Sequence, residues 1–271
     1  MPNPWELMTR EEGRAMDERK DSGPGRHRTA VYRETMWRII QRHLPEDRGA
    51  PILDLAGGTG VWAIRLARQG HHVILSDISP GLLDRARDRI RPEGLADRVQ
   101  IEQDDMCDLG RHEAEAFPLV LALGDPLSYC SDAARALREA YRVTRRHGTL
   151  IGDVENRYRC MLTGRRGATW QDAKRVLIDG VAHWPDPDNP YAIREFTPRE
   201  LRDLLDQTGW SATEMYPSHV LASAVGDHAF EEVVASEGGL AAAADMEERL
   251  ARDPSLLGCG PDIQFVVRKT G

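Results

Sequence analysis

The chain has 271 residues, 41% hydrophobic and 30% charged, which is the composition of an ordinary globular protein. Its formal net charge of -8 opposes binding to nucleic-acid phosphates, and its arginines are spread among acidic residues, so we expect no nucleic-acid partner. No apolar run reaches about eighteen residues and residues 1–20 are charged, which predicts a soluble cytoplasmic protein without a membrane partner.

The amino-terminal segment, residues 1–49, contains two predicted helices, the second around Arg28 to His43. From Pro51 onward, short apolar runs alternate with helical patterns, which indicates a parallel sheet covered by helices on both faces. Several of the runs are continuously apolar, as expected for strands that are buried on both faces. The runs are Ile52 to Ala56, His72 to Ser76, Val99 to Gln103, Leu119 to Leu123 and Thr149 to Asp153.

The segments between these runs carry start and stop signals of helices. Small polar residues that accept a backbone hydrogen bond favour helix starts, and glycine favours helix ends. The predicted starts are Ser79 with Pro80, Ser131 or Asp132, and the capping box of Thr197 with Glu200; the predicted ends of the last two helices are Gly148 and Gly209.

Two segments fall outside this alternation, residues 1–49 and residues 155–196. Insertions at the carboxyl ends of strands lie over the ligand site of open α/β sheets, so both are candidate lids, with equal weight on simple extensions of the fold. Residues 155–196 are rich in aromatic side chains that can enclose an apolar or planar acceptor. These are Tyr158, Trp170, Trp184 and Tyr191.

The carboxyl-terminal part predicts a strand at Ser211 to Tyr216, a helix at Ala241 to Leu250 and a last strand at Ile263 to Val267. The segment Gly226 to Gly260 is rich in Ala and Glu, and we expect a surface helix or an oligomer contact there. We therefore predict one domain over residues 1–271, with a helical cap (1–49), a cofactor-binding core (50–154), a lid (155–196) and a carboxyl-terminal part of the core (197–271).

The strongest local signal is a strand that ends in a glycine-rich turn and leads directly into a helix, residues 52–62. Glycine is needed where the backbone takes positive φ or approaches a ligand closely. Gly58, Gly60 and Ala63 also satisfy the G-x-G-x-x-A pattern of dinucleotide-binding folds. Asp54 favours a different ligand, because a methionine-bearing cofactor has an amino group that needs acidic surroundings, whereas a dinucleotide has a pyrophosphate.

Two further acidic positions follow the next strands. Asp77 comes directly after the second apolar run, where a carboxylate can accept hydrogen bonds from both hydroxyls of a ribose. Asp105 and Met106 follow the third run, and they suit an adenine, because the carboxylate accepts from the exocyclic amine and the thioether packs on the ring. Each acid can equally be a turn or loop residue.

These three signals, in this order and spacing, resemble the class I S-adenosylmethionine-dependent methyltransferases from about Pro51 to the Thr197 helix, and more weakly to the chain end. The resemblance implies a doubly wound, mostly parallel seven-stranded sheet with an antiparallel seventh strand at Ile263 to Arg268. It also implies S-adenosylmethionine as the cofactor and cofactor contacts at the turn, after the second and third strands, and at the end of the fourth. The corresponding residues are Ala56, Gly58, Gly60, Asp77, Ile78, Asp105, Met106 and Leu123.

One position departs from the family pattern, since Ala56 stands at the first glycine of D-x-G-x-G-x-G, a change that leaves room for the cofactor. Tyr32 in the second amino-terminal helix is a further candidate cofactor contact, although its spacing to Met36 and Ile39 also fits a core-facing stripe.

Methyl transfer needs mainly alignment of the reacting atoms, and a base only where the nucleophile carries a proton of high pKa. The candidate catalytic residues are His183 in the lid, Tyr129 after the fourth strand and Glu155 after the fifth, with Asp153 and His219 as further candidates. We expect a small organic acceptor, a secondary metabolite, methylated on O, N or C.

Three alternatives stay open. They are a lyase or cyclase that uses the same cofactor on the same fold, an NAD-dependent oxidoreductase, and a scaffold without activity. A Tyr-x-x-x-Lys pair does not follow the fourth strand, which disfavours the oxidoreductase. No ligand cluster in the sequence indicates a metal, and the four cysteines form no C-x-x-C pair.

Overall fold

A seven-stranded sheet forms the centre of the computed structural model, which describes residues 3–158, 169–183 and 191–270. The strands of this sheet are β1 (Ile52–Leu55), β2 (Val73–Asp77), β3 (Val99–Gln103), β4 (Phe117–Ala122), β5 (Thr144–Glu155), β8 (Trp210–Pro217) and β9 (Asp262–Lys269). Their order is β3-β2-β1-β4-β5-β9-β8. β1 to β5 pair in parallel, and β9 pairs antiparallel with both β5 and β8, so the predicted sheet and its antiparallel last strand are confirmed.

Helices surround the sheet. In chain order they are α1 (Arg10–Ser22), α2 (Arg26–Gln41), α3 (Val61–Arg68), α4 (Pro80–Ile90), α5 (Pro126–Tyr129), α6 (Ala133–Val143), α7 (Trp170–Lys174), α8 (Pro198–Gln207), α9 (Val220–Val225), α10 (Asp227–Ala235) and α11 (Gly239–Ala251). Short 3-10 helices occur at Arg91–Glu93 and Pro254–Leu256, and a π-helical turn at Arg175–Asp179. Within the described residues, no helix is both long and apolar enough to cross a membrane.

The core lies on both faces of the sheet because successive residues of a strand point to opposite faces. In β4, Val120 and Ala122 belong to the cluster on one face, and Leu119 and Leu121 belong to the cluster on the other. All four are almost fully buried, which explains why this strand reads as a continuous apolar run.

The predicted helix starts are confirmed. Ser79 accepts a hydrogen bond from Leu82 N, Asp132 accepts from Arg135 N, and Thr197 forms a capping box with Glu200. The predicted helix end at Gly148 is wrong, because α6 ends at Val143 and Gly148 lies inside β5. Thr144 stops the helix there: it adopts extended backbone, and its hydroxyl donates to the carbonyl of Ala140.

The two predicted lid segments differ in what they build. α1 and α2 lie at the carboxyl ends of the central strands, where they line the main cavity. In residues 155–196, the described part contains α7, the π-helical turn and a two-stranded sheet of β6 (Val181–His183) and β7 (Ala192–Arg194). Residues 159–168 and 184–190, which include Trp184, lie outside the described residues.

The segment Gly226 to Gly260 packs on the amino-terminal cap. Phe230 and Val234 of α10 and Ala243 of α11 form a small buried cluster with Val31 of α2 and Ala222 of α9. The carboxyl-terminal helices therefore hold α2 in place over the sheet. The predicted oligomer contact in this segment stays a prediction.

Candidate cofactor and acceptor site

The order in which the strands are added to the sheet reverses between the parallel neighbours β1 and β4, which opens a crevice at the carboxyl ends of these strands. A cavity of about 570 Å³ occupies this crevice, a volume typical of small-molecule sites. Eight of the nine predicted cofactor residues line the cavity: Ala56, Gly58, Asp77, Ile78, Asp105, Met106, Leu123 and Tyr32.

The glycine-rich turn after β1 forms one wall of the cavity. Ala56 and Gly58 both have φ of 55°, a left-handed conformation that costs strain at alanine and little at glycine. A Cβ built on Gly58 would have Leu82 Cδ1 at 4.0 Å as its nearest neighbour, so the space in front of the turn is open to a ligand.

The ninth predicted residue, Gly60, is not among the residues that line the cavity. It precedes α3 with φ of 80°, and a Cβ there would lie 3.4 Å from Leu75 Cδ2 and 3.5 Å from Ala86 Cβ. Glycine at this position therefore serves the helix start and close packing, and a cofactor contact at Gly60 stays a prediction.

Asp77 holds the glycine turn in place. Its Oδ2 accepts a hydrogen bond from Gly58 N at 2.9 Å, and its Oδ1 accepts from Ser79 N at 2.9 Å. A carboxylate has about four lone-pair sites, so two remain for the hydroxyls of a ligand. Burial raises the pKa of Asp77, and the bonds from the backbone N–H groups oppose that rise.

Asp54 lies directly beneath the same turn and is 1% exposed. Its Oδ2 accepts from Ala63 N at 3.0 Å, whereas its Oδ1 has no hydrogen-bond partner among the described residues. Burial raises the pKa of Asp54 from 3.8 to about 7, and the nearby charge of Asp77 adds to the rise.

The loop after β3 forms the next wall. The Oδ1 of Asp105 accepts from Cys107 N at 2.8 Å, and its carbonyl accepts from Asp108 N at 2.8 Å, which closes a tight turn. Met106 is 7% exposed and belongs to the core cluster while it also lines the cavity.

Asp153, at the carboxyl end of β5, connects three parts of the cavity wall. Its Oδ1 accepts from the N–H groups of Gly124 and Asp125 at 2.8 and 2.9 Å, and its Oδ2 accepts from the hydroxyl of Tyr32 at 2.5 Å. Tyr32 also stacks on His219, with ring centroids 5.6 Å apart. The cap helix α2 is thereby anchored to the sheet at the cavity.

This end of the cavity is acidic. Asp125, Asp153 and Asp262 line it, and Glu155 lies near. Burial, followed by the charges of Asp262, Asp153 and Glu155, raises the pKa of Asp125 well above its usual value. Burial likewise raises the pKa of Asp153, and burial with the charge of Asp153 raises that of Tyr32, so Tyr32 stays a hydrogen-bond donor.

The three predicted catalytic residues occupy different places. Tyr129 lines the cavity, and its hydroxyl donates to Glu155 Oε1 at 2.5 Å, although Glu155 itself is not among the lining residues. His183 lies in β6, where it pairs with Ala192, and it too is absent from the cavity lining. The aromatic lid segment predicts His183 at the cavity, whereas the structure brings the side chains of Tyr129 and Glu155 together.

Among the lining residues not predicted from the sequence are Trp5, Lys20 and Asp262. The position of Asp262 could have been predicted, because β9 runs antiparallel to β5 and therefore begins at the edge of the sheet where β5 ends. Glu155 accordingly pairs with Asp262 across these two strands. Trp5 and Lys20 reach the cavity only through the docking of the amino-terminal segment, for which no sequence pattern exists.

Comparisons with known proteins agree with this geometry. Residues 52–148 match the model of a family described as a methyltransferase domain. The chain is 36% identical over 126 residues to the magnesium-protoporphyrin O-methyltransferase of Rhodobacter capsulatus, which covers 45% of this chain and 53% of that protein. It is 29% identical over 177 residues to the tRNA 5-carboxymethoxyuridine methyltransferase of Escherichia coli K12, which covers 65% of this chain and 66% of that protein.

The chain therefore spans between about half and two thirds of the length of these curated relatives. Among solved structures, a SAM-dependent methyltransferase from Methanosarcina mazei has the same fold, with a TM-score of 0.61 at 18% identity over 86% of this chain and 97% of that one. The matched domain spans β1 to the start of β5, where the glycine turn, Asp77 and Asp105 lie. Residues 52–148 therefore form a domain of the methyltransferase family, in a fold that the chain shares with S-adenosylmethionine-dependent methyltransferases.

Proposed function

We propose that this protein transfers a methyl group from S-adenosylmethionine to a small organic acceptor. The observation that carries the proposal is one continuous cavity whose wall contains the glycine turn, Asp77, Asp105 and Met106 at one end and Tyr32, Tyr129 and Asp153 at the other. A cavity of about 570 Å³ has room for the cofactor together with a modest acceptor.

The residues present fit the cofactor. The open space before Gly58 accommodates its methionine part, and the two remaining acceptor sites of Asp77 suit the ribose hydroxyls. Asp105 and Met106 offer a carboxylate and an apolar surface, which suit adenine. Acidic side chains near the turn suit the positive charges of its ammonium and sulfonium groups.

When bound, S-adenosylmethionine supplies a methyl carbon attached to a positively charged sulfur. Transfer of this carbon to an acceptor atom would leave the electron pair of the carbon–sulfur bond on sulfur, as S-adenosylhomocysteine. The protein's part is to align the acceptor with the methyl carbon and to exclude water. Tyr32 is suited to cover the cavity and exclude water, since α2 positions its side chain over the cavity and Asp153 orients its hydroxyl.

An acceptor that loses a proton needs a base nearby. We propose Asp125 or Asp153 for this role, because both line the cavity and burial raises the pKa of each carboxyl above its usual value, which makes each carboxylate a stronger base. Tyr129 with Glu155 is the second candidate pair, since a short hydrogen bond joins their side chains. Because His183 is absent from the cavity lining, it is the weakest of the predicted catalytic candidates.

The charges of the cavity favour a neutral or cationic acceptor. Asp125, Asp153 and Asp262 line the acceptor end, and Lys20 is the cation that faces Asp125 and Asp153 there. Arg33 also lines the cavity, but it pairs with Asp21 at 2.5 Å. An anionic acceptor would therefore meet net repulsion.

The experiment is a calorimetric titration of the purified protein with S-adenosylhomocysteine, with NAD as the competing cofactor class. We expect binding on the order of micromolar Kd and no binding of NAD. Asp77→Asn should weaken the binding of S-adenosylhomocysteine about 10- to 100-fold, because a hydrogen bond to a charged group contributes about 1.5–3 kcal/mol. Asn keeps an acceptor for Gly58 N, so this variant disturbs the turn less than alanine would.

The matched control is Asp84→Asn, an exposed carboxylate on α4 that pairs with Arg87. It should bind S-adenosylhomocysteine like the wild type. Binding of NAD in place of the thioether would refute the proposal. Turnover of S-adenosylmethionine that releases no S-adenosylhomocysteine would favour the lyase or cyclase alternative.

A further inference from the structure

A second cluster of chemically active side chains lies at the outer end of β3. Glu102 is the penultimate residue of β3, and Asp104 is the first residue after the end of this strand. His112 comes from the loop that leads to β4. The sequence separation of His112 from the two acids shows no metal motif, and only the path of the loop brings the three together.

The two distances from the His112 imidazole to the carboxylates are those of ligands to one ion. His112 Nε2 lies 3.4 Å from Glu102 Oε2 and 3.3 Å from Asp104 Oδ2, and all three ligand atoms lie within 4.8 Å of one another. In a tetrahedral zinc site with bonds of about 2.0–2.1 Å, two ligand atoms are about 3.3–3.4 Å apart. Both distances to His112 agree with this geometry.

The same three atoms form no hydrogen bond among the described residues, and Glu102 Oε2 only approaches Arg111 Nη1, at 3.7 Å. His112 Nε2, Glu102 Oε2 and Asp104 Oδ2 are all closed off from solvent and form no hydrogen bond. The side chains of His112 and Asp104 are only 7% and 6% exposed. Buried polar atoms without partners are costly, so three of them pointing at one spot indicate a missing ligand.

The remaining atoms of the cluster are already held. Gln100 Nε2 donates to Glu102 Oε1 at 2.5 Å, and Arg111 Nε forms an ion pair with Asp104 Oδ1 at 2.8 Å. The His112 ring packs edge to face on Phe117, with centroids 5.4 Å apart. These contacts fix the side chains so that the unpartnered oxygens stay turned toward the imidazole.

From this geometry we infer that Glu102, Asp104 and His112 form a binding site for one divalent transition-metal ion, for which Zn²⁺ is the best match. One imidazole nitrogen and two carboxylate oxygens are ligands that Zn²⁺, Mn²⁺ and Fe²⁺ share, whereas Mg²⁺ prefers oxygen ligands alone. Arg111 neutralises one of the two carboxylates, which leaves one negative charge and the imidazole for the ion.

The ion would close the loop from Asp104 to His112. Asp105 and Met106 lie inside that loop and line the cavity, so the metal would stiffen one wall of the cofactor site without touching the acceptor. The site stands apart from the proposed function, because its ligands would bind metal whether or not the protein transfers a methyl group.

The first experiment is a calorimetric titration of Zn²⁺ into the full chain after chelator dialysis. We expect one ion per chain, and a rise in Tm of about 5–10 °C when free zinc exceeds Kd a hundredfold. His112→Asn and Glu102→Gln should each abolish this binding. His228→Asn, which removes an exposed histidine that pairs with Glu232, should leave it unchanged.

The Arg111→Ala variant distinguishes a metal site from a cluster of ion pairs that binds no metal. Removal of the competing guanidinium should tighten zinc binding several-fold, because the ion then faces two uncompensated carboxylates. X-ray absorption of the zinc-loaded wild type should show one nitrogen and two carboxylate oxygens among the ligands. This measurement needs no variant, so it tests the proposal even if His112→Asn does not fold.

Three outcomes would overturn the inference. Absence of stoichiometric zinc binding would mean that the three side chains interact only with one another and with Arg111. Binding that survives in folded His112→Asn would place the ion elsewhere. A ligand shell that contains sulfur would assign the ion to the neighbouring Cys107 or Cys130.

Discussion

Asp54 is a single buried carboxyl whose ionisation should be visible in the stability of the whole protein. Its pKa is about 7 in the folded state and near 4 in the unfolded chain. Between these values the folded state binds the proton and the unfolded state does not, so protonation stabilises the fold. This contribution is fully present below about pH 4 and is lost as the pH rises through 7.

We therefore expect the free energy of unfolding of the wild type to fall by about 2–3 kcal/mol relative to Asp54→Asn between pH 5 and pH 8. Asparagine has no titrating group, and its side-chain oxygen can still accept from Ala63 N. Urea denaturation at a series of pH values measures the difference. Asp84→Asn, at an exposed site, should give a difference that is flat with pH, and a flat difference for Asp54→Asn would contradict the assigned pKa.

At the scale of elements, the docking of α1 depends on one buried carboxylate. Asp17 is 3% exposed and accepts hydrogen bonds from Arg85 Nε at 2.8 Å, Arg89 Nη1 at 3.3 Å and Thr59 Oγ1 at 2.7 Å. Arg89 also donates to the carbonyl of Thr59 at 3.1 Å. Helix α1 is thus connected to α4 and to the glycine turn through the same side chain.

Asp17→Ala should undock α1, because it leaves two partly buried arginines without their shared carboxylate. Removal of one partner from a buried ion pair typically costs about 3–5 kcal/mol. We expect faster amide hydrogen exchange over residues 10–22 and weaker binding of S-adenosylhomocysteine, since Met16 and Lys20 of this helix line the cavity.

The matched control is Glu18→Ala, on the exposed face of the same helix, where Glu18 only approaches Arg14 at 3.8 Å. It should leave both the exchange of α1 and the binding unchanged. If Asp17→Ala behaved like Glu18→Ala, α1 would be held by its other contacts and not by the ion pair.

The elements that sequence patterns predicted carry clear local signals. β1, β2 and β4 are apolar because both of their faces are covered, and α4 and α8 carry side-chain caps. Gly148 misled the prediction because glycine also occurs inside strands: here a Cβ would lie 2.7 Å from Thr144 Cγ2, so only glycine fits.

The site was predictable where it follows strand ends and not where it depends on docking. Asp77 is the last residue of β2 and Asp105 lies two residues after the end of β3, so their placement at the cavity follows from the strand order. Lys20 and Asp17 are charged residues in a helix of low hydrophobicity. Asp17 points inward to its ion pairs with α4, and Lys20 faces the acidic residues of the cavity, which no spacing reveals. The approach of His112 to Glu102 likewise depends on a loop path.

At the scale of the whole molecule, charge bears on the class of acceptor. One relative is named for a tRNA substrate, and the magnesium-protoporphyrin enzyme is named for a small molecule. The net charge of this chain is -8, and Asp125, Asp153 and Asp262 line the acceptor end of its cavity. Affinity for nucleic acid depends mainly on phosphate contacts by Lys and Arg, which release counterions.

We therefore predict that fluorescently labelled bulk tRNA does not bind this protein saturably at physiological salt, with an apparent Kd weaker than about 10⁻⁴ M, the weak end of non-specific binding. Fluorescence anisotropy measures this, with and without saturating S-adenosylhomocysteine, so that an empty cofactor site cannot explain a negative result. Binding tighter than about 10⁻⁵ M that weakens linearly with the logarithm of salt concentration would contradict the prediction. It would mean that arginines spread along the sequence converge on one face, and the acceptor would then be sought among RNA bases instead of free small molecules.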